Sequence, residues 1–240
     1  MKSADNATRG KAHDAIARTW QSEANLAVFL VLLVAVAFVF PALGLGSEHT
    51  SLYGISAFSV LLFFGIAIAW GQPRLFSLSC CVGSVALAVR WISWWRPTPR
   101  LGIWSDACTL ASVVTITVIL LRQVFRSGPV TAMRIQGAIA IYLCFGMAWA
   151  SAYHIVDHLV PGSFRANFGG LNSSGEWIFY SFVTLTSVGY GDTVPVGQIA
   201  RSLSILEVLT GQLFLAVTIA RLVALQIVDS QRGKTNHESE

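Results

Sequence analysis

The chain has 240 residues, 54% of them hydrophobic and only 12% charged. Soluble domains carry about 25% charged residues, so this composition excludes an ordinary water-soluble enzyme or binding module and fits a chain solvated by lipid. The formal net charge of +4 comes from basic residues scattered between apolar runs, which excludes a concentrated nucleic-acid-binding surface.

A helix that crosses a bilayer needs about 20 mostly apolar residues. Residues 1–24 are polar, carry Lys2, Arg9, Lys11 and Arg18, and read as a cytoplasmic N-terminal tail. Six apolar segments follow, at 26–46, 52–70, 75–95, 101–121, 134–156 and 199–228. Gly71 to Pro73, Pro97, Pro99 and Gly128-Pro129 mark breaks between them. The pattern predicts an all-α membrane protein with six transmembrane helices. A stretch of about 40 residues between the fifth and sixth segments has mixed polarity. Cys80, Cys81, Cys108 and Cys144 lie in or beside the apolar runs without metal-ligand spacing, so free buried thiols are expected.

Six spans put both ends on one side. Eleven of the sixteen Lys and Arg residues fall on the side of the two termini; the other five are Arg90, Arg96, Arg100, Arg165 and Arg201. The positive-inside rule then places both termini of the multi-pass chain in the cytoplasm. Trp91, Trp94 and Trp95 fall at the outer interface, where indole rings prefer to lie.

The mixed stretch carries the chemistry. Ser173 and Glu176 have the spacing of a capping box and mark a helix start. About thirteen helical residues, to Thr186, cover roughly 20 Å. That is too short to span, so the helix is expected to enter the membrane, stop, and aim the negative end of its dipole at mid-membrane, which suits a cation. Ser187-Val188-Gly189-Tyr190-Gly191 follows. Its two glycines permit backbone conformations that bring successive carbonyls to one side. Irregular backbone at that depth is tolerated only inside protein or along a water-filled path.

The run Thr184-Leu-Thr-Ser-Val-Gly-Tyr-Gly-Asp192 resembles the signature sequence of potassium channels, and the layout resembles bacterial six-transmembrane, single-pore members of that group. The resemblance implies a re-entrant pore helix and filter loop between the fifth and sixth helices. Residues 1–24 and 230–240 would be tails, 25–126 a four-helix unit in the position of a voltage sensor, and 127–229 the pore unit. It further implies potassium coordination by Ser187, Val188, Gly189, Tyr190 and Gly191, with Ser187 where threonine is usual. Thr184, Thr186 and Asp192 would support the filter. Gly211 matches a hinge glycine of the inner helix, and a close packing contact is the other account of it. Glu207 faces either the cavity or, the favoured reading, pore-helix hydroxyls such as Ser181 or Thr184. One filter per chain implies a homotetramer in the bilayer, conducting K+ as permeant ion, with no cofactor, no enzymatic activity and no nucleic-acid partner.

Other residues admit other readings. Gly189 to Asp192 also fits a Gly-x-Gly-Asp intramembrane protease, which would need Asp106 or Asp157 as a second aspartate. A non-conducting or transporter-associated subunit is the other alternative. His154, Asp157 and His158 share one helix face and could hold a metal, although a polar helix end explains them as well. Arg90 and Asp106 stand inside the third and fourth segments at matching depth, and an ion pair between them is expected. Residues 107–121 contain no arginine, so weak voltage dependence is expected. A tail of a dozen residues is too short for a cytoplasmic ligand-binding domain.

Overall fold

The computed structural model describes residues 24–42, 52–68, 73–96, 98–126, 131–167 and 173–237. In chain order the described elements are α1 (Ala24–Val39), α2 (Leu52–Ile68), α3 (Pro73–Trp95), α4 (Pro99–Val124), α5 (Ala132–Leu159), β1 (Phe164–Ala166), α6 (Ser174–Leu185), β2 (Thr193–Pro195) and α7 (Gln198–His237). The chain is a mostly helical membrane protein. Among the described residues, four helices are long and apolar enough to cross a bilayer: Arg74–Trp95, Arg100–Val124, Ala132–Leu159 and Gln198–Ile227. The first two apolar segments form shorter apolar helices, Ala24–Val39 and Ile55–Ile68. The expected first span runs past 42, and the expected N-terminal tail up to 23, into residues outside the described set. At the other end α7 continues to His237, where the hydropathy reading ends the span at 228 and begins a tail at 230.

Local chemistry sets the helix boundaries. Thr98 caps α4 by accepting from the Leu101 N–H at 3.4 Å, and Pro99 follows at a first-turn position, where its missing N–H costs nothing. Inside α4, Thr109, Ser112, Thr115 and Thr117 each donate to the carbonyl four residues back. The hydroxyls therefore need no partner from lipid.

The core forms where α4 and α5 meet. Small residues on α5, among them Gly137, Ala138, Ala140 and Ala150, are buried, which lets the helices approach closely, as membrane packing requires. Ile116, Leu120, Ile141 and Cys144 fill the seam, with Phe29 and Leu33 of α1 and Leu62 of α2 over it. Cys144 is the buried thiol, Cys80 and Cys108 are half-buried and Cys81 is exposed; all four are free. The end of α1, π-helical over Ala35–Val39, brings Phe38 against Phe182 of α6 at 5.0 Å between ring centroids. The N-terminal helices thus brace the short helix α6 within one chain.

A two-stranded antiparallel ribbon joins the ends of the loop region. Phe164 pairs with Pro195, Arg165 with Val194 and Ala166 with Thr193. Strands of three residues leave no alternation to read in a sequence, so this ribbon is an addition to the expected all-α fold.

Candidate functional site

The site is built from α6, the loop 186–192, the ribbon and the middle of α7. At the start of α6 the capping box is complete. Ser173 accepts from the Glu176 N–H at 3.4 Å, and the Glu176 carboxylate accepts from the Ser173 N–H at 3.0 Å. Twelve residues of helix then run to Leu185, a length of about 18 Å. Tyr153 of α5, Phe164 of β1, and Trp177 and Tyr180 of α6 pack edge to face at centroid distances of 5.0 to 5.5 Å. This cluster fixes α6 against α5.

The backbone changes hand as α6 ends. Ser187, Gly189 and Gly191 have φ of 62°, 61° and 77°, while Val188 and Tyr190 do not have positive φ. Alternation of φ sign turns successive carbonyls to a common side, instead of opposite sides as in a strand. The N–H groups are consumed inward: Ser187 donates to the Thr184 carbonyl at 2.9 Å, and Val188 and Gly189 donate to the Val183 carbonyl at 2.9 and 3.3 Å. No donor among the described residues reaches the carbonyls of Ser187, Val188, Gly189 or Tyr190. All residues from Thr186 to Gly191 are exposed in the single chain. The left-handed conformation is free for glycine but costs a serine about 1–2 kcal/mol. The Ser187 hydroxyl is held in return by the Gln212 side-chain amide of α7, which donates to it at 3.1 Å.

The C-terminal end of this loop is clamped from the ribbon. The Asn167 N–H donates to the Asp192 carbonyl at 2.7 Å, and its side-chain amide donates to the Gly191 carbonyl at 2.7 Å. Asp192 turns its own carboxylate back to the Thr193 N–H at 2.9 Å. Thr184 and Thr186 donate to the carbonyls of Tyr180 and Phe182, which keeps both hydroxyls on α6.

Behind the loop lies a buried polar knot. Glu207 of α7 is fully buried. Ser181 of α6 lies 2.5 Å from its Oε1, and the Tyr153 hydroxyl of α5 donates to its Oε2. Ser181 also reaches the Gly146 carbonyl at 2.8 Å. A serine has one proton, so it cannot donate to both. All three contacts are satisfied together when Glu207 is the neutral acid, donating to Ser181 while Ser181 donates to Gly146. The knot ties α5, α6 and α7 at one point. Four residues further along α7, a Cβ on Gly211 would lie 2.5 Å from the Leu185 carbonyl oxygen. Close packing thus leaves no room for a side chain at this position, and α7 runs through it unbroken.

The expected bridge between Arg90 and Asp106 does not form. Asp106 sits on the face of α4 that meets α5, with its Oδ2 2.9 Å from Nδ1 of His154. Arg90 instead lies over the Phe58 ring of α2 at 5.0 Å. Equal depth fixed the heights of the two residues but not the faces on which they lie. Asp106 is also one of the two candidates for the second aspartate of the protease reading. Sequence reasoning missed Tyr153, Asn167 and Gln212. Each is a polar residue whose partner lies 54, 24 or 25 positions away, and nothing local marks it.

Residues 137–226 match the family model described as ion channel. This segment is similar to ion channels. It contains α6, the loop, both strands of the ribbon and most of α5 and α7. Over 80 residues the chain is 32% identical to the inward rectifier potassium channel Kirbac3.1 of Paramagnetospirillum magnetotacticum, a stretch covering 33% of this chain and 24% of that protein. The chain therefore spans about a quarter of the length of the curated relative it matches. No solved structure matches. These likenesses point to a channel rather than an enzyme and agree with the potassium-channel resemblance of the sequence.

Proposed function

We propose that four copies of this chain assemble in a bilayer around one axis and conduct potassium passively and selectively. The observation that carries this reading is the loop Ser187 to Tyr190, with four successive carbonyls that no donor among the described residues reaches and the N–H groups of Ser187, Val188 and Gly189 turned away into α6. A dehydrated cation needs such a ring of oxygens, and one chain supplies only one side of it. The similarity to a potassium channel over 80 residues favours K+ as the ion.

Assembly follows from unused surface. Only 11% of the apolar window of α7 is buried within the chain, against 44% for α4 and 39% for α5. Its buried residues Ala200, Glu207, Gly211, Phe214 and Thr218 form one stripe, and the other faces are free for lipid, a water-filled cavity and neighbouring copies. Closed rotational symmetry would cover the exposed loop and the inner face of α7 together. The basic residues on the side of the termini orient both ends towards the cytoplasm, across an inner membrane.

Vesicles loaded with potassium and reconstituted with the purified chain test this reading. It requires potassium release from vesicles that contain a complex of four chains. A monodisperse monomer, or tetramers that release no potassium across a range of voltage and pH, would overturn it.

A further inference from the structure

Away from the loop, three ligand-type side chains converge where α4 meets the end of α5. The ligand atoms of Asp106, His154 and His158 all lie within 4.8 Å of one another. His154 and His158 are four residues apart and share a helix face, and their rings are 4.5 Å apart. Asp106 comes from another helix. A local reading of the sequence groups the two histidines with Asp157, which the folded chain leaves out of the cluster.

Two features separate this cluster from a polar helix end. Asp106 Oδ2 is buried and 2.9 Å from His154 Nδ1, yet it accepts no hydrogen bond there or elsewhere among the described residues. Two ligand atoms from different helices held this close, with no hydrogen bond formed between them, have the arrangement a cation would bridge. The indole of Trp177 on α6, 2% exposed, lies beside the cluster with its centroid 5.7 Å from the His154 ring, and its N–H has no partner among the described residues. A water on a bound metal would give that buried donor an acceptor.

We propose that Asp106, His154 and His158 form a zinc site that staples α4 to the end of α5 beside the helix α6. Two imidazoles and one carboxylate with an open fourth position suit Zn2+, whereas Mg2+ and Ca2+ prefer all-oxygen sets. Tetrahedral bonds of about 2.0–2.1 Å hold ligand atoms ~3.4 Å apart. His158 is exposed and has the freedom to close the remaining gap by a rotamer change. His158 also sits in the last turn of α5, where the negative end of the helix dipole favours a cation.

The test is zinc titration of the purified full chain in lipid, with any affinity tag removed, alongside cobalt substitution read by visible absorption. The expected result is one zinc per chain and the intense absorption of four-coordinate cobalt. Asp106→Asn and His158→Ala each weaken binding at least about tenfold, the scale on which metal sites respond to lost partners, and Asp157→Asn leaves it unchanged. Absence of zinc binding, or binding that Asp106→Asn does not weaken in a normally assembled protein, would overturn the site. On the channel reading, zinc added from the α5-end side would also change the current. The binding titration stands apart from conduction, so the two readings fail separately.

Discussion

Gly211 and Leu185 meet without room for one more carbon: a Cβ on the glycine would lie 2.5 Å from the Leu185 carbonyl oxygen and 2.9 Å from its Cδ1. The same carbonyl accepts from the Tyr142 hydroxyl at 3.3 Å, and it stands two residues before Ser187. The end of α6 is therefore positioned by contact with α7 on one side and α5 on the other. In Gly211→Ala the helix gains about 1 kcal/mol of propensity, while overpacking against backbone costs roughly 1–3 kcal/mol. The expected outcome is lower thermal stability and altered conduction together, measured by melting of the assembled protein and by single-channel recording. A stabilised, normally conducting variant would show that the carbonyl yields freely.

Glu207 makes a different kind of joint. Its removal in Glu207→Ala leaves the Tyr153 and Ser181 hydroxyls facing a cavity, at an expected cost of about 2–5 kcal/mol. Gln can donate to Ser181 and accept from Tyr153, so Glu207→Gln should retain most of the stability that alanine loses. Equal losses in the two variants would mean that the carboxyl is ionised and that its charge, not its hydrogen-bond pattern, holds the knot.

On the channel reading, Asn167 offers a way to loosen the end of the proposed filter without substituting any residue of it. Asn167→Ala keeps the backbone bond to Asp192 and deletes only the side-chain bond to the Gly191 carbonyl, worth about 0.5–1.5 kcal/mol. A lower ratio of potassium to sodium permeability, with unchanged assembly, is expected. A wild-type ratio would assign the clamp to the ribbon backbone alone.

The long spans and the short helix α6 were legible in the sequence because hydropathy and a capping box are local signals. Boundaries moved where a helix continued into polar residues, as α7 does to His237. The ribbon was invisible because three residues per strand carry no period. Depth along a helix could be counted, which set Arg90 and Asp106 level. The faces they occupy depend on how α4 turns against α5, and that gave Asp106 to His154. Ser181 was readable as a partner of Glu207 because α6 and α7 flank the same loop. Tyr153 was not, since nothing near it in sequence marks a buried acceptor.

The fourth helix predicts how conduction responds to voltage. Between Arg100 and Arg122, α4 contains no basic residue and one acidic residue, Asp106. Steep gating needs about three or four charges per subunit to move through the field. Arg221 of α7 instead donates to the Phe125 carbonyl at 2.5 Å and lies over the Phe125 ring, tying the inner helix to the end of α4. Conductance should change only shallowly with voltage in planar bilayers. A rise over a few tens of millivolts would show a charge movement that α4 itself does not supply.

On the proposed function, potassium is selected by the carbonyls of Ser187 to Tyr190, which no donor among the described residues reaches. The most direct measurement is the reversal potential of the reconstituted protein, with potassium on one side of the bilayer and sodium on the other. A value close to the potassium equilibrium potential is expected. A value near zero would contradict the claim, because a pore that passes both ions equally is not using this loop to replace the ion's water.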